Sequence, residues 1–238
     1  LAGYIVQRVS GEPFGEYVDE NIFTPLDMES ATFSQNLTEA QLNDLSSGYH
    51  TASGQPTQFE LAAASPAGAL TVTAPDMSRF MLAHLNDGRL GDAQILAPET
   101  AQLMHARTFA SIPALNGMTL GFYENSINGY RVISHGGDTQ TFHSDVNLFI
   151  DEGVGVFVSI NSTGENEAAY DLRALLFSEF ADRYFPGEEA PVPTDIGEGN
   201  AAQLVGQWTA SRRSDTSFIS LAELLEPTII SATEDGKL

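Results

Sequence analysis

Three strand-length apolar runs, separated by polar and glycine-containing turns, organise residues 129–161, GYRVISHGGDTQTFHSDVNLFIDEGVGVFVSIN. Three runs, 130–134, 146–150 and 154–160, are rich in Val, Ile and Phe and are bounded by turn signals. They predict a strand, a second strand and a tight hairpin into a third. The hairpin turns at Asp151, Glu152 and Gly153, where the glycine can take positive φ. Runs of this length and apolarity predict a sheet covered on at least part of both faces.

Helical spacing dominates elsewhere. Leu1, Ile5, Val6 and Val9 share one stripe, and Ser10-Gly11 ends that helix. Pro13 opens a second helix with Phe14, Tyr17, Val18 and Ile22 on its apolar face. Residues 38–45 predict a short helix with Leu42 and Leu45 inward. Residues 49–60 read as a hairpin around Ser53-Gly54, and 65–70 as a turn into a small-residue strand. Thr73, Pro75 and Asp76 form a helix start, followed by the inward stripe Met77, Phe80, Met81 and Leu85 and the stop Asn86-Asp87-Gly88. A helix from Pro98 through Met104, a strand at 119–123 and a helix over 165–184 complete this part. The last helix carries Leu172, Leu175, Leu176 and Phe180.

Residues 186–199, PGEEAPVPTDIGEG, hold almost no core formers and read as a linker between a domain over 1–185 and a module over 200–238. Within the module, 204–209 and 227–232 are predicted strands. Both ends look cut from something longer: the chain begins inside an amphipathic helix and stops just after an Asp-Gly turn signal. The expectation is an isolated fragment that is marginally stable or self-associates, because its first helix would leave apolar surface uncovered.

Charge narrows the choice of partners. Ten Lys+Arg against 32 Asp+Glu give a net charge of −22, so phosphate backbones and anionic membrane surfaces would meet repulsion. No apolar run is long enough to span a bilayer. The sequence contains no Cys, which rules out a disulfide framework and thiolate chemistry.

The candidate chemistry sits in His135-Gly136-Gly137-Asp138, at the end of the first predicted strand. Two glycines beside polar residues let a ligand or another backbone approach closely. Read alone, His135 is equally at home as a hydrogen-bonded histidine at a strand end. His143 reads as a structural contact, and His50, His84 and His105 as surface or helix-side residues. A metal reading takes His135, Asp138, His143 and Asp145 as imidazole and carboxylate ligands. It is disfavoured because no His pair has helical i, i+4 spacing and strand alternation would scatter the side chains. The assignment is no metal and no cofactor.

Four segments together resemble the serine β-lactamase-like hydrolases, a family of class C β-lactamases, penicillin-binding-protein-like peptidases and esterases. They are LAGYIVQRVSGEPFGEYVDENIFTPLDM, SPAGALTVTAPDMSRFM, HGGDTQTFHSDVNLFIDEGVGVFVSIN and, beyond the linker, SRRSDTSF, which is similar to the start of a lipocalin-like β module. The resemblance implies an α+β fold, an antiparallel β-sheet flanked by helices, here incomplete at its N-terminus. It implies an acyl-serine mechanism on ester, amide or β-lactam substrates, and an exported bacterial protein. The family's Ser-x-x-Lys supplies the nucleophile and its base. This chain has none, since Lys237 is its only lysine, and it has no Tyr-x-Asn at the place the family puts it. By resemblance, His135 stands at the family's Lys-Thr-Gly lysine, where an imidazole can donate or accept near neutral pH. Gly136 and Gly137 keep the strand edge open to the acyl group, and the Asp138 backbone N–H is one oxyanion donor. The expected partners are a small acyl, peptide or β-lactam substrate, with self-association or an N-terminal piece supplied in trans. Alone, the chain is expected to be inactive. The alternative from another class is a degenerate module that binds acyl or peptide groups without cleaving them.

Overall fold

The computed structural model describes residues 1–110, 113, 115–187, 204–209, 218 and 227–231. The chain divides into two compact units, Leu1–Glu188 and Glu189–Leu238. The first is built around a four-stranded antiparallel sheet in the order β3-β4-β5-β6. These strands are β3 (Tyr123–Glu124), β4 (Val132–Asp138), β5 (His143–Phe149) and β6 (Val154–Ile160); earlier in the chain β1 (Arg89–Leu90) and β2 (Ala93–Gln94) pair antiparallel as a separate two-stranded ribbon. The tight turn before β6 is present, with Gly153 at φ +70°.

Pairing fixes the faces of the sheet. Val132, Ser134, Gly136 and Asp138 lie opposite Phe149, Asn147, Asp145 and His143, while Ile133, His135 and Gly137 lie opposite Leu148, Val146 and Ser144. Opposed residues share a face and successive residues alternate. On the second face, α5 (Ala74–Leu85) brings Met81 against Phe122, Ile133, Val146 and Leu148. On the first, α7 (Ala168–Tyr184) brings Phe177 and Ala181 against Val132 and Phe149. The sheet is therefore covered on both sides, as its apolar runs required. β4 itself runs four residues beyond the predicted strand, through His-Gly-Gly-Asp, because β5 pairs with it up to Asp138↔His143.

The helical part holds α1 (Ala2–Ser10), α2 (Phe14–Val18) continuing into a π turn at Asp19–Phe23, α3 (Glu39–Asp44), α4 (Ser65–Gly68) and α6 (Pro98–His105). Val18, Phe23, Leu26 and Met28 form a second core with Ala83 of α5. The Thr73 hydroxyl accepts from Asp76 N at 3.3 Å, and Asp76 in turn accepts from Ser30 N at 3.0 Å. A single cap thus starts α5 and ties it to the loop before it. Gly88 ends this region at φ +84°, where an added Cβ would lie 2.5 Å from Leu96 O, so no other residue fits.

Several expectations change. Leu42 is exposed, and α3 buries none of its residues. Its stability comes from a capping box between Thr38 and Gln41 instead of an inward face. Residues 65–68 form a helical turn, with Pro66 suited to its first position, and the predicted strand shrinks to a single bridge, Thr32↔Thr71. The 49–60 hairpin is likewise one bridge, Tyr49↔Pro56. His84 and His105 are not surface residues. They are 4% and 5% exposed, and His84 Nδ1 meets His105 Nε2 at 3.0 Å. Helical spacing turned both inward between α5 and α6, with the Phe80 ring against His84 and the Phe122 ring against both. Leu1 before α1, Ile5 and Val9 within it, and Leu172, Leu175 and Leu176 of α7 are exposed.

In the second unit, Gly206–Trp208 and Thr228–Ile230 pair antiparallel as β7 and β8, within the two predicted strands. The linker from 188 onward, Lys237 and SRRSDTSF apart from Phe218 lie outside the described residues.

Candidate active site

The two halves of β4 have different edges. β3 pairs with Ile133 and Ser134 only. Beyond Ser134, no strand among the described residues lies on that side of β4. Backbone direction along this half follows from the β4–β5 turn. Thr139 N donates to Phe142 O at 2.9 Å, which closes the hairpin as a hydrogen-bonded pair. Antiparallel pairs alternate, so Asp138 and Gly136 are non-bonded positions whose N–H and C=O point away from β5, while Gly137 and His135 bond to β5. The open edge therefore presents the backbone groups of Gly136 and Asp138.

His135 is exposed, and its ring lies 5.6 Å from that of Tyr123. Tyr123 and Glu124 form β3, and the side-chain amide of Asn125, the next residue, donates to Asn147 Oδ1 at 2.8 Å. An added Cβ at Gly137 would meet nothing within 4 Å, so the space beside it is empty. At Gly136 it would make ordinary contact with Asp145, Ser144 and Arg173 Nη1.

The four proposed metal ligands are divided between the two faces: His135 on the α5 side, and Asp138, His143 and Asp145 on the α7 side. Among the described residues no three His, Asp or Glu side chains are grouped to hold an ion. Asp145 accepts from Asn147 at 2.8 Å; burial pushes its carboxyl upward, against that bond and the charges of Arg173 and His135.

The Asp138 side chain is held on the α7 face. The carboxylate meets His143 Nδ1 at 2.9 Å and Arg173 Nη1 at 2.9 Å. His143 is 1% exposed, and its Nε2 lies 3.3 Å from Thr163 Oγ1. Carboxylate, imidazole and hydroxyl thus follow the order of a nucleophilic triad. Burial of His143 leaves a substrate no access, and the Thr163 hydroxyl donates instead to Gln140 O at 2.6 Å. The turn is also held from outside by Glu60, which accepts from Gln140 N at 2.8 Å and from Thr141 Oγ1. Burial pushes Glu60 upward, but these bonds and one from Thr139 outweigh it and hold the carboxyl below its usual range. Arg173, Thr163 and Glu60 carry no motif, and nothing in the sequence pointed to them.

The family model for Beta-lactamase matches residues 1–179. The chain belongs to the beta-lactamase family. No curated protein matches it significantly. Solved structures of similar fold include a beta-lactamase from Sulfitobacter sp. EE-36 (TM-score 0.58, 18% identity, 76% of this chain and 57% of that one). The octameric penicillin-binding protein homologue from Pyrococcus abyssi matches at TM-score 0.55 and 20% identity, over 87% of this chain and 46% of that one. A beta-lactamase/D-alanine carboxypeptidase from Pseudomonas syringae matches at 0.58 and 17%, over 74% and 56%. This beta-lactamase-family chain thus spans about half the length of those structures.

Proposed function

We propose that this chain carries the strand-edge half of an acyl-serine hydrolase site for ester, amide or β-lactam substrates. The observation that carries the reading is the open half of β4, which combines exposed His135, empty space beside Gly137 and the outward backbone groups of Gly136 and Asp138. An extended acyl group can lie along such an edge as an added strand. Its carbonyl oxygen then accepts from the Asp138 N–H, and negative charge developing on that oxygen is stabilised there. One such donor is typically worth about 10²–10³ in rate. The second donor and the nucleophile come from a Ser-x-x-Lys element, which this sequence does not contain. The chain alone is therefore inactive in this reading. His135 lies beside the reacting group and contributes hydrogen bonding and field.

The missing Ser-x-x-Lys also favours a second reading, a module that binds acyl or peptide groups without cleaving them. A fluorescent acyl-serine probe, phosphonate or penicillin, separates the two. It is applied to this chain and to the natural gene product that contains it, and adducts are read by mass. A hydrolase predicts an adduct on the gene product only, on a serine outside residues 1–238. No adduct on either favours the binding module, and an adduct on this chain contradicts both.

A further inference from the structure

We propose that Arg173 is a positioning residue that fixes the direction of the Asp138 backbone N–H through the Asp138 carboxylate. The inference rests on the hydrolase reading, because it concerns the donor that reading uses. Asp138 is the last residue of β4 and faces two ways. Its N–H points to the open edge and its side chain to the α7 face. At this end of β4 no neighbouring strand among the described residues lies on one side, and the backbone bonds to the peptide plane come from β5 and the turn.

Behind the sheet, Arg173 supplies the missing restraint. Its Nη1 donates to Asp138 Oδ1 at 2.9 Å and to Ser144 O at 2.8 Å, and its Nη2 reaches Asp138 Oδ2 at 3.5 Å. One planar guanidinium thereby ties β4 to β5 across the Gly137↔Ser144 pair. It is itself restrained. The Arg173 side chain is 16% exposed and its guanidinium carbon lies 5.5 Å from the Tyr170 ring. Tyr170 packs at 4.8 Å on His143, whose Nδ1 meets the same Asp138 oxygen. Charge-assisted donors from two elements converge on one carboxylate, so rotation of Asp138 breaks them together. A lysine in place of Arg173 could keep the charge but not the fork.

The test compares Arg173→Met, which keeps an apolar stem, with Arg173→Lys. In the ¹⁵N-labelled chain, the amide order parameter of Asp138 is expected near 0.85 in the wild type and below about 0.6 in Arg173→Met, with Arg173→Lys between and Val146 unchanged. In the natural gene product, acylation by a chromogenic β-lactam or ester is expected to slow about 10²-fold in Arg173→Met, the loss of one oxyanion donor, with KM moving less than about threefold. Arg173→Lys is expected to recover part of that rate. Should Arg173→Met not fold, Asp138→Ala removes the acceptor of both bonds, keeps the backbone N–H and carries the same comparison. An Asp138 amide that stays rigid in these variants overturns the proposal even where the wild type is acylated. A mobile amide with unchanged acylation overturns it too, as a purely structural tie. A wild-type gene product that is never acylated removes the hydrolase reading, and this role with it, whatever the amide does.

Discussion

The two halves of β4 differ in everything except being one strand. Val132, Ile133 and Ser134 are buried, lie between α5 and α7, and have at Ile133 and Ser134 a strand on each edge. Among the described residues, His135 to Asp138 keep one neighbouring strand, β5, and leave the other edge open. The packed half is held by apolar burial, which is strong and non-directional. The open half is held from behind by a few directed bonds, at Arg173, His143 and Glu60. Packing fixes where the strand runs. In the site proposed above, the directed bonds would fix where its last backbone groups point.

Substitutions can break this contrast. Ile133→Ala in the packed half is expected to cost about 2–5 kcal/mol of unfolding free energy, read from urea denaturation. An effect below about 1 kcal/mol would show that this half is not the anchor. Next in size is a pH effect on the surroundings of β3, which covers that half. His84 and His105 pack against Phe122, the residue before β3. Burial first, and then the charge of His105, lower His84 to about 4 from an ordinary 6.5. Burial, followed by the charge of Arg131 and opposed by that of Asp87, lowers His105 as well. The unfolded chain takes up these protons before the folded one. Stability is therefore full above pH 6.5 and falls as pH drops toward 4, by up to about 3 kcal/mol for His84. The urea midpoint measured from pH 7 to 4 should show the fall, and His84→Gln should flatten it. An equally steep fall in that variant would place the acid sensitivity elsewhere. The smallest effect belongs to the open half. Gly137→Ala adds a methyl into empty space, so its stability should change by less than about 0.5 kcal/mol while a bound acyl group meets a new obstacle. A large loss of stability there would erase the distinction between the halves.

Legibility in the sequence followed the same division. The packed strands were readable because burial repeats: the apolar runs at 130–134, 146–150 and 154–160 forecast β4, β5 and β6 and their tight turn. Family membership was readable because three segments within the matched residues 1–179 occur in the family's order. The directed bonds were not readable. Arg173 is 35 positions from Asp138 and Glu60 is 80 from Gln140, distances over which no periodicity operates. Helical stripes were legible only where a partner exists. In the α5 stripe Met81 is buried and Met77, Phe80 and Leu85 pack half-buried against the cores, whereas Leu42, Ile5 and Leu175 fit apolar patterns and remain exposed. His84 and His105 misled for a related reason, since an imidazole pair that satisfies itself leaves no polar signature in the pattern.

The most direct test of the open edge uses this chain itself. A ¹⁵N-labelled sample is titrated with N-acetyl-D-alanyl-D-alanine and with benzylpenicillin while backbone amide shifts are followed. Strand addition along β4 predicts the largest shifts at the outward amides of Gly136 and Asp138, small ones at His135 and Gly137, and none at Val132 or Ile133. Shifts centred elsewhere, or equal shifts at all four residues of the open half, would contradict a ligand seated on this edge.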